Sequence, residues 1–259
     1  MIPLGDNLPT LRRPIVTLTV IGATAAVWLV GQGAGFNDVA LATSVCNFGL
    51  VPGELTGQAA LGFAVPLAEG LTCNVDNEPI NVLTPAISIF LHGSWAHIIG
   101  NMLFLFVFGN NVEDSMGHVR FLVFYLICGL AAAAAHVLLN PASPVPTVGA
   151  SGAVSGVMGA YLLLYPRARI KMLFIFFIFF KVFRIQAWMV LIWWFLLQVV
   201  TGLPELISVR SDISGGVAVW AHVGGFLAGA FLIKLFADRA MVSAHKQAYE
   251  VEHGYGWRR

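Results

Sequence analysis

Residues 172–200 read MLFIFFIFFKVFRIQAWMVLIWWFLLQVV, directly after the basic turn Pro166-Arg167-Ala168-Arg169-Ile170-Lys171. How many times the chain crosses a membrane turns on this stretch. At about 1.5 Å per residue it is too short for two spans of roughly 20 residues each. Lys181 and Arg184 interrupt its first half. The reading that satisfies both observations makes 172–184 an interfacial segment and about 186–200 a single span, the fifth.

The rest of the chain agrees with a membrane setting. It has 259 residues, 58% of them hydrophobic and only 10% charged, with a mean hydropathy of +0.81. A soluble domain carries about 25% charged residues. The formal net charge is +1, and no basic cluster is interleaved with aromatics, so no nucleic-acid partner is expected. Three scattered cysteines make no zinc or redox motif, and neither a metal nor a cofactor is expected. The oligomeric state is not legible.

Working outward gives an all-α polytopic protein of six spans. Residues 1–13 form a polar cytoplasmic arm ending in Arg12-Arg13. A six-helix membrane domain follows over 14–237, and 238–259 form a polar cytoplasmic tail. The first span runs from Pro14 to about Val30 and is read as a retained signal anchor, since it is long for a signal peptide and no convincing cleavage site follows. A long first loop, 31–91, holds Asp38, Glu54, Glu69, Asp76 and Glu78 but no lysine or arginine. Cys46 and Cys73 both lie in it. They can pair if the loop faces an oxidising compartment, and the sequence leaves that open. Spans two, three and four cover about 96–112, 119–139 and 151–165. A loop with Glu205, Arg210, Asp212 and Gly215-Gly216 precedes span six, about 217–236.

Charge tests this count. One side of the six-span arrangement receives Arg12, Arg13, Arg120, Arg167, Arg169, Lys171, Lys181, Arg184, Lys234, Arg239, Lys246, Arg258 and Arg259, and the other only Arg210. Cytoplasmic loops carry the excess of lysine and arginine, so both termini are expected in the cytoplasm. Five or seven spans would destroy the asymmetry. The absence of a transit peptide before span one makes a bacterial inner membrane the simplest host.

Polar groups inside spans are expensive and are functional candidates by default. Gly149-Ala150-Ser151-Gly152-Ala153 sets a serine at the start of span four, beside unpaired helix N–H groups and the positive end of the helix dipole. The position suits an oxyanion, and it equally suits an ordinary serine N-cap. His97 and Asn101, four residues apart in span two, share a helix face. They can act as hydrogen-bond donors or as a polar helix contact. His222 lies about five residues into span six, with Gly225 and Gly229 on its face. Small residues at this spacing let helices approach closely, and span four carries its own small stripe of Gly152, Ser155, Gly156 and Gly159. If these stripes pack, Ser151 and His222 reach a similar depth, and a serine beside a histidine base is an activated nucleophile. Asn101 and Glu113 are 12 residues apart in sequence, roughly 18 Å along a helix. Glu113 is therefore too remote to orient His222, and a structural hydrogen-bonding role is expected for it. The serine and histidine would form a dyad. Residue 153 is alanine, so the stretch is not a G-x-S-x-G elbow.

These residues resemble the rhomboid family of intramembrane serine proteases, over about Pro85 to Ala237. The resemblance rests on Phe90, His92, His97, Asn101-Met102, Phe108-Gly109 and Glu113 around span two. It continues with Gly149, Ser151 and Gly152 at span four, and His222, Gly225 and Gly229 at span six. It implies a six-helix rhomboid-like bundle, a Ser151 nucleophile and a His222 general base. His97, Asn101 and the Ser151 backbone N–H would stabilise the oxyanion. His92, Gly149, Gly152, Gly225 and Gly229 would play supporting parts. The implied partners are transmembrane protein substrates, cleaved in or near their spans, and the lipid bilayer. The implied active site opens to the outer face.

Two positions depart from the family pattern. Many members carry an aromatic four residues after the nucleophile, packed on the histidine. Here that position is Ser155, which leaves Trp220 and Tyr161 as alternative supports. Gly100 replaces a bulky residue found in some members near the substrate's lateral opening. Two other classes fit less of the sequence. A non-catalytic client-binding relative would generally lack the nucleophile or the base. A transporter would be expected to show inverted repeats or a chain of acidic relay residues.

Overall fold

The computed structural model describes residues 2–68, 70–176, 179–207 and 218–253. In chain order the elements are β1 (Ile2–Gly5), α1 (Ile15–Ala26), α2 (Asp38–Phe48), α3 (Pro52–Thr56), β2 (Ala64–Ala68), β3 (Leu71–Asn74), α4 (Thr84–Ile87), α5 (Trp95–Met116) and α6 (His118–Leu139). They continue with α7 (Ser151–Leu164), β4 (Arg169–Phe176), β5 (Phe179–Gln186), α8 (Ala187–Ile207), α9 (Val219–Phe236) and α10 (Arg239–His253). Among the described residues four helices are long and apolar enough to cross a membrane: α5, α6, α8 and α9. The apolar helix over Ile15–Gly31 and α7 are shorter.

Helix α7 is the axis of the bundle, and nearly every residue from Gly152 to Tyr161 is buried. Its stripe of small residues meets the stripe on α9 directly. A Cβ at Gly225 would collide with the Gly152 carbonyl oxygen, one at Gly229 with that of Gly156, and one at Gly159 with that of Phe226. The alanine run 131–135 supplies the third side of this seam. A Cβ on Gly152 would stand 2.5 Å from the Ala132 Cβ. Such backbone-level contact is how small residues join helices where no hydrophobic effect separates apolar side chain from apolar lipid.

The N-terminus of α1 is capped from another helix. Both Glu113 carboxylate oxygens accept from it: Val16 N at 2.9 Å, Thr17 N at 2.8 Å and Thr17 Oγ1 at 2.7 Å. These are the amides a helix start leaves unpaired. Glu113 is thus structural, at the end of α5 remote from Ser151.

The first loop is folded. It holds α2, α3 and the β2–β3 hairpin, and a disulfide between Cys46 and Cys73 ties α2 to the hairpin, which resolves the pairing left open by the sequence. A bridge between Leu50 and Thr147 fastens this loop to the segment before Ser151.

The all-α expectation needs one correction. Of the stretch 172–184, read as an interfacial segment, residues 172–176 lie in β4 and 179–184 in β5, which pair as antiparallel strands, and β1 from the N-terminal arm pairs with β4 to make a three-stranded antiparallel sheet. Short β-branched and aromatic runs form strands readily. Here no polar–apolar alternation marks them, because the outer part of the hairpin is apolar on both faces. The terminal segments are not bare polar arms either. Besides β1, α10 packs its His245 into the same end of the bundle, completely buried. Span five extends past Val200, since α8 runs to Ile207. Arg210, Asp212, Gly215-Gly216 and Val217, together with Arg258 and Arg259, lie outside the described residues.

Candidate active site

At the end of the bundle where α7 begins, a cavity of about 550 Å³ opens. His97 and Asn101 of α5, Ser151 and Ser155 of α7, Trp194 of α8 and His222 of α9 line it, with Phe104, Met158, Val145, Pro146 and Val148 as apolar wall. Among the described residues, no carboxylate lines it.

Ser151 is the first residue of α7, and the cap position belongs to Ala150, with no side-chain capping bond. The ordinary explanation for a serine at this site therefore fails. Its hydroxyl borders the cavity instead. His222, in the first turn of α9, is held from a direction the sequence reading missed. Its Nδ1 lies 2.8 Å from Gln198 Oε1 on α8. A carbonyl oxygen accepts only, so Nδ1 carries the proton and Nε2 is the free base. Trp194, one turn earlier on α8, packs its ring 5.7 Å from the imidazole, tilted by 39°. No hydrogen bond joins Ser151 Oγ to His222, and catalytic bonds of this kind tighten in the complex with substrate.

The supports offered by the sequence are corrected accordingly. Tyr161 sits near the other end of α7 and donates to Asp6 Oδ2 at 2.5 Å. Trp220 packs over Gly202, where a Cβ would stand 3.1 Å from the indole. Ser155 donates to the Ser151 carbonyl oxygen at 2.6 Å, so its hydroxyl is turned to its own helix. The aromatic role missing at 155 is filled by Trp194. Gln198 was within reach of sequence reasoning. An amide in an apolar span is the same signal that marked His97 and His222.

Opposite the serine, His97 and Asn101 share the face expected of them. Ser94 caps α5 by accepting from His97 N at 3.2 Å. Gly93 N approaches His97 Nδ1 at 3.5 Å, so that nitrogen accepts and the proton sits on Nε2. This Nε2 presses on Gly149. A Cβ there would stand 2.6 Å from it, and the glycine holds φ +131°, a conformation open to a residue without Cβ. Gly149 therefore makes room for His97. Gly100 borders open space.

Asn101 Nδ2 donates to His92 Nε2 at 3.0 Å. Burial, with His97 nearby, lowers the His92 pKa from its ordinary 6.5 to about 3. The ring stays neutral and keeps its accepting nitrogen. His92 is itself pinned by Gln32, whose amide donates to the His92 carbonyl at 2.8 Å and accepts from its N–H at 2.8 Å. Gln32, at the end of span one, was not singled out in the sequence. Gly152, Gly225 and Gly229 lie in the α7–α9 seam that brings Ser151 and His222 to one cavity.

Comparison with known proteins gives one answer. The rhomboid domain matches residues 77–239, well over half of the chain. RHOMBOID-like protein 5 of Arabidopsis thaliana is 34% identical over 151 residues, 56% of this chain and 40% of the relative. Rhomboid protease GluP of Bacillus subtilis is 42% identical over 81 residues, 31% of this chain and 15% of the relative. Rhomboid protein 1, mitochondrial, of Saccharomyces cerevisiae is 34% identical over 93 residues, 34% of this chain and 27% of the relative. In these relatives the matched segment spans well under half of their own length. A helical bundle built on a glycine seam, with serine and histidine at its open end, coincides with the matched region, and the chain belongs to the rhomboid family.

Proposed function

We propose that the protein is an intramembrane serine endopeptidase, cleaving membrane-protein substrates in or near their transmembrane segments. The observation that carries this reading is the shared cavity of Ser151 and His222, with Gln198 leaving the Nε2 of His222 unprotonated. Ser151 Oγ attacks the scissile carbonyl carbon. His222 Nε2 takes the hydroxyl proton and delivers it to the leaving amine. Water in the cavity then attacks the acyl-enzyme by the same route in reverse. Gln198 takes the orienting place usually held by a carboxylate. It fixes the tautomer without adding a buried charge.

The negative oxygen of the tetrahedral intermediate is received by His97 Nε2–H, Asn101 Nδ2–H and the Ser151 backbone N–H, at the positive end of α7. One such donor lowers the barrier by about 3–4 kcal/mol. His92 and Gly149 place the donors and touch no reacting atom.

In this reading the chain crosses the bilayer six times, with both termini in the cytoplasm. The thirteen-to-one division of lysine and arginine supports this. So does the length of α7. Its 14 residues span about 21 Å at 1.5 Å each, short of a hydrocarbon core of about 30 Å. With its basic end at the cytoplasmic surface, Ser151 falls below the outer one, in a cavity open to that side. A bacterial inner membrane fits this orientation.

The test is cleavage of a panel of model transmembrane substrates by wild type, Ser151→Ala and His222→Ala, with a fluorophosphonate probe as a second readout. Wild type cleaves and is labelled at Ser151. Each variant loses about 10⁴-fold or more in rate. Full activity in Ser151→Ala would overturn the mechanism.

A further inference from the structure

The β4–β5 hairpin plays no part in this chemistry, yet it exposes some of the most apolar sequence in the chain. Its base is well packed, with Ile170 and Met172 inside the bundle core. Pairing puts Lys171 opposite Arg184, Leu173 opposite Val182 and Ile175 opposite Phe180, on the face turned from the bundle. Strand β1 reaches only to Leu173, so beyond it the sheet is a two-stranded ribbon. That ribbon is apolar on both faces. Ile175 and Phe180 project from one side and Phe179 from the other, beside Lys181, and Phe179 and Phe180 are 70% and 68% exposed.

Such a ribbon suits neither bulk solvent nor hydrocarbon. Water disfavours a contiguous apolar patch and a bare two-stranded hairpin is marginal there. In the bilayer core its free edges would leave backbone groups unpaired. The headgroup layer meets both demands. Charge selects the lipid. Between residues 169 and 186 there are four cations, Arg169, Lys171, Lys181 and Arg184, and no acidic residue. Lys181 lies over the Phe183 ring, 5.1 Å from its centroid, so cationic and apolar groups share one surface. The hairpin also starts where spans end. It leaves α7 after a short turn and runs directly into α8, whose exposed Trp188 is of the type enriched at membrane interfaces.

We propose that the β4–β5 hairpin is a lipid-binding element. Its exposed Ile175, Phe179 and Phe180 lie in the headgroup layer of the cytoplasmic leaflet, held there by acidic phospholipids against Lys181 and Arg184. The inference rests on the reading that α7 and α8 cross the bilayer, and it does not depend on proteolysis.

The experiment exploits the cysteines. Cys46 and Cys73 are bonded and Cys128 is buried, so one introduced cysteine is the sole accessible thiol. Full-length Phe180→Cys and, separately, its cross-strand neighbour Ile175→Cys carry a nitrobenzoxadiazole label. They are reconstituted in phosphatidylcholine vesicles with and without phosphatidylglycerol. With phosphatidylglycerol the emission shifts to the blue, and quenching by headgroup-labelled nitroxide lipid rises several-fold over the phosphatidylcholine value. Lys181→Glu with Arg184→Glu abolishes that rise. A label quenched by aqueous iodide alone in both vesicles overturns the proposal. So does shielding that depends on protein density rather than lipid charge, which would mean that a second copy covers the ribbon. Leu196→Cys, mid-way along α8 and exposed, separates the two readings. If it escapes quenching by mid-chain nitroxide lipid, the span assignment fails. If it is quenched while Phe180→Cys stays in water, only the hairpin proposal fails.

Discussion

Helix α7 carries hydroxyl groups at both ends, and their surroundings are opposite. At its far end Tyr161 donates to Asp6, which also accepts from Asn111 Nδ2 at 2.6 Å. Asp114 accepts from Leu11 N at 2.6 Å. His245 donates to the Pro9 carbonyl and receives the Tyr165 hydroxyl on Nδ1 at 2.7 Å. The segment before α1 and helix α10 are thereby fastened to the bundle through side-chain hydrogen bonds. At the start of α7 the polar groups line a cavity. His97 Nε2–H abuts Gly149, His222 Nε2 makes no hydrogen bond among the described residues, and Ser151 caps nothing. Buried polar groups that bond one another specify a structure. Those whose remaining bonding capacity faces a cavity can receive a ligand. The contrast, rather than the presence of polar residues, separates the candidate site from the scaffold.

The sharpest way to break this contrast is at Asn101. Asn101→Ala removes an oxyanion donor and is expected to lower kcat about 10²–10³-fold, while the lost bond to His92 costs about 1 kcal/mol of stability. Substrate cleavage and thermal unfolding in one detergent check both halves. Glu113→Ala acts in reverse. It strips the acceptor from three donors at the start of α1 and costs about 3 kcal/mol or more of stability, while activity per folded molecule persists. Equal losses in both quantities for either variant would erase the distinction.

Gln198 tests the boundary between the two kinds of environment. Gln198→Leu frees the imidazole to turn, and kcat falls roughly tenfold to a hundredfold with KM nearly constant. Gln198→Glu keeps the acceptor and restores most of the rate. A purely structural role would instead move the unfolding temperature in both variants.

The smallest effect is at Asp6. Burial raises its pKa above the ordinary 3.8, against the lowering effect of its bonds to Tyr161, Leu8 and Asn111. The folded state therefore holds this proton more tightly than the unfolded chain. The associated stability is present below pH 3.8 and declines as pH rises through the folded pKa. Asp6→Asn removes that slope from the unfolding profile and leaves cleavage unchanged.

Much of the architecture was legible because membranes make polarity rare. Ser151, His97 and His222 stood out against apolar spans, and the long helices fall close to their expected limits. What stayed hidden depended on partners across the fold. Gln198 gains meaning only when α8 lies against α9, and Gln32 only when span one reaches His92. Trp194 takes over the part expected at residue 155 from a different helix, which no spacing within α7 reveals. The hairpin escaped because strands are read by alternation, and Leu173 to Phe180 has none. Two cysteines in one loop allowed a bond without requiring it.

The seam between α7 and α9 has a further consequence. Gly225 rests on Gly152 and Gly229 on Gly156, four residues apart on both helices. The contact is thus a ladder with rungs one turn apart. Sliding α9 by four residues would set Gly229 on Gly152 with no new clash at that rung, yet carry His222 about 6 Å past Ser151. Glycines alone make the approach close but leave its register degenerate. The register is fixed from the side, by Gln198 on the imidazole and by Ala135 against Gly224. Nucleophile and base are thereby indexed in whole turns, with helix α8 reading the index.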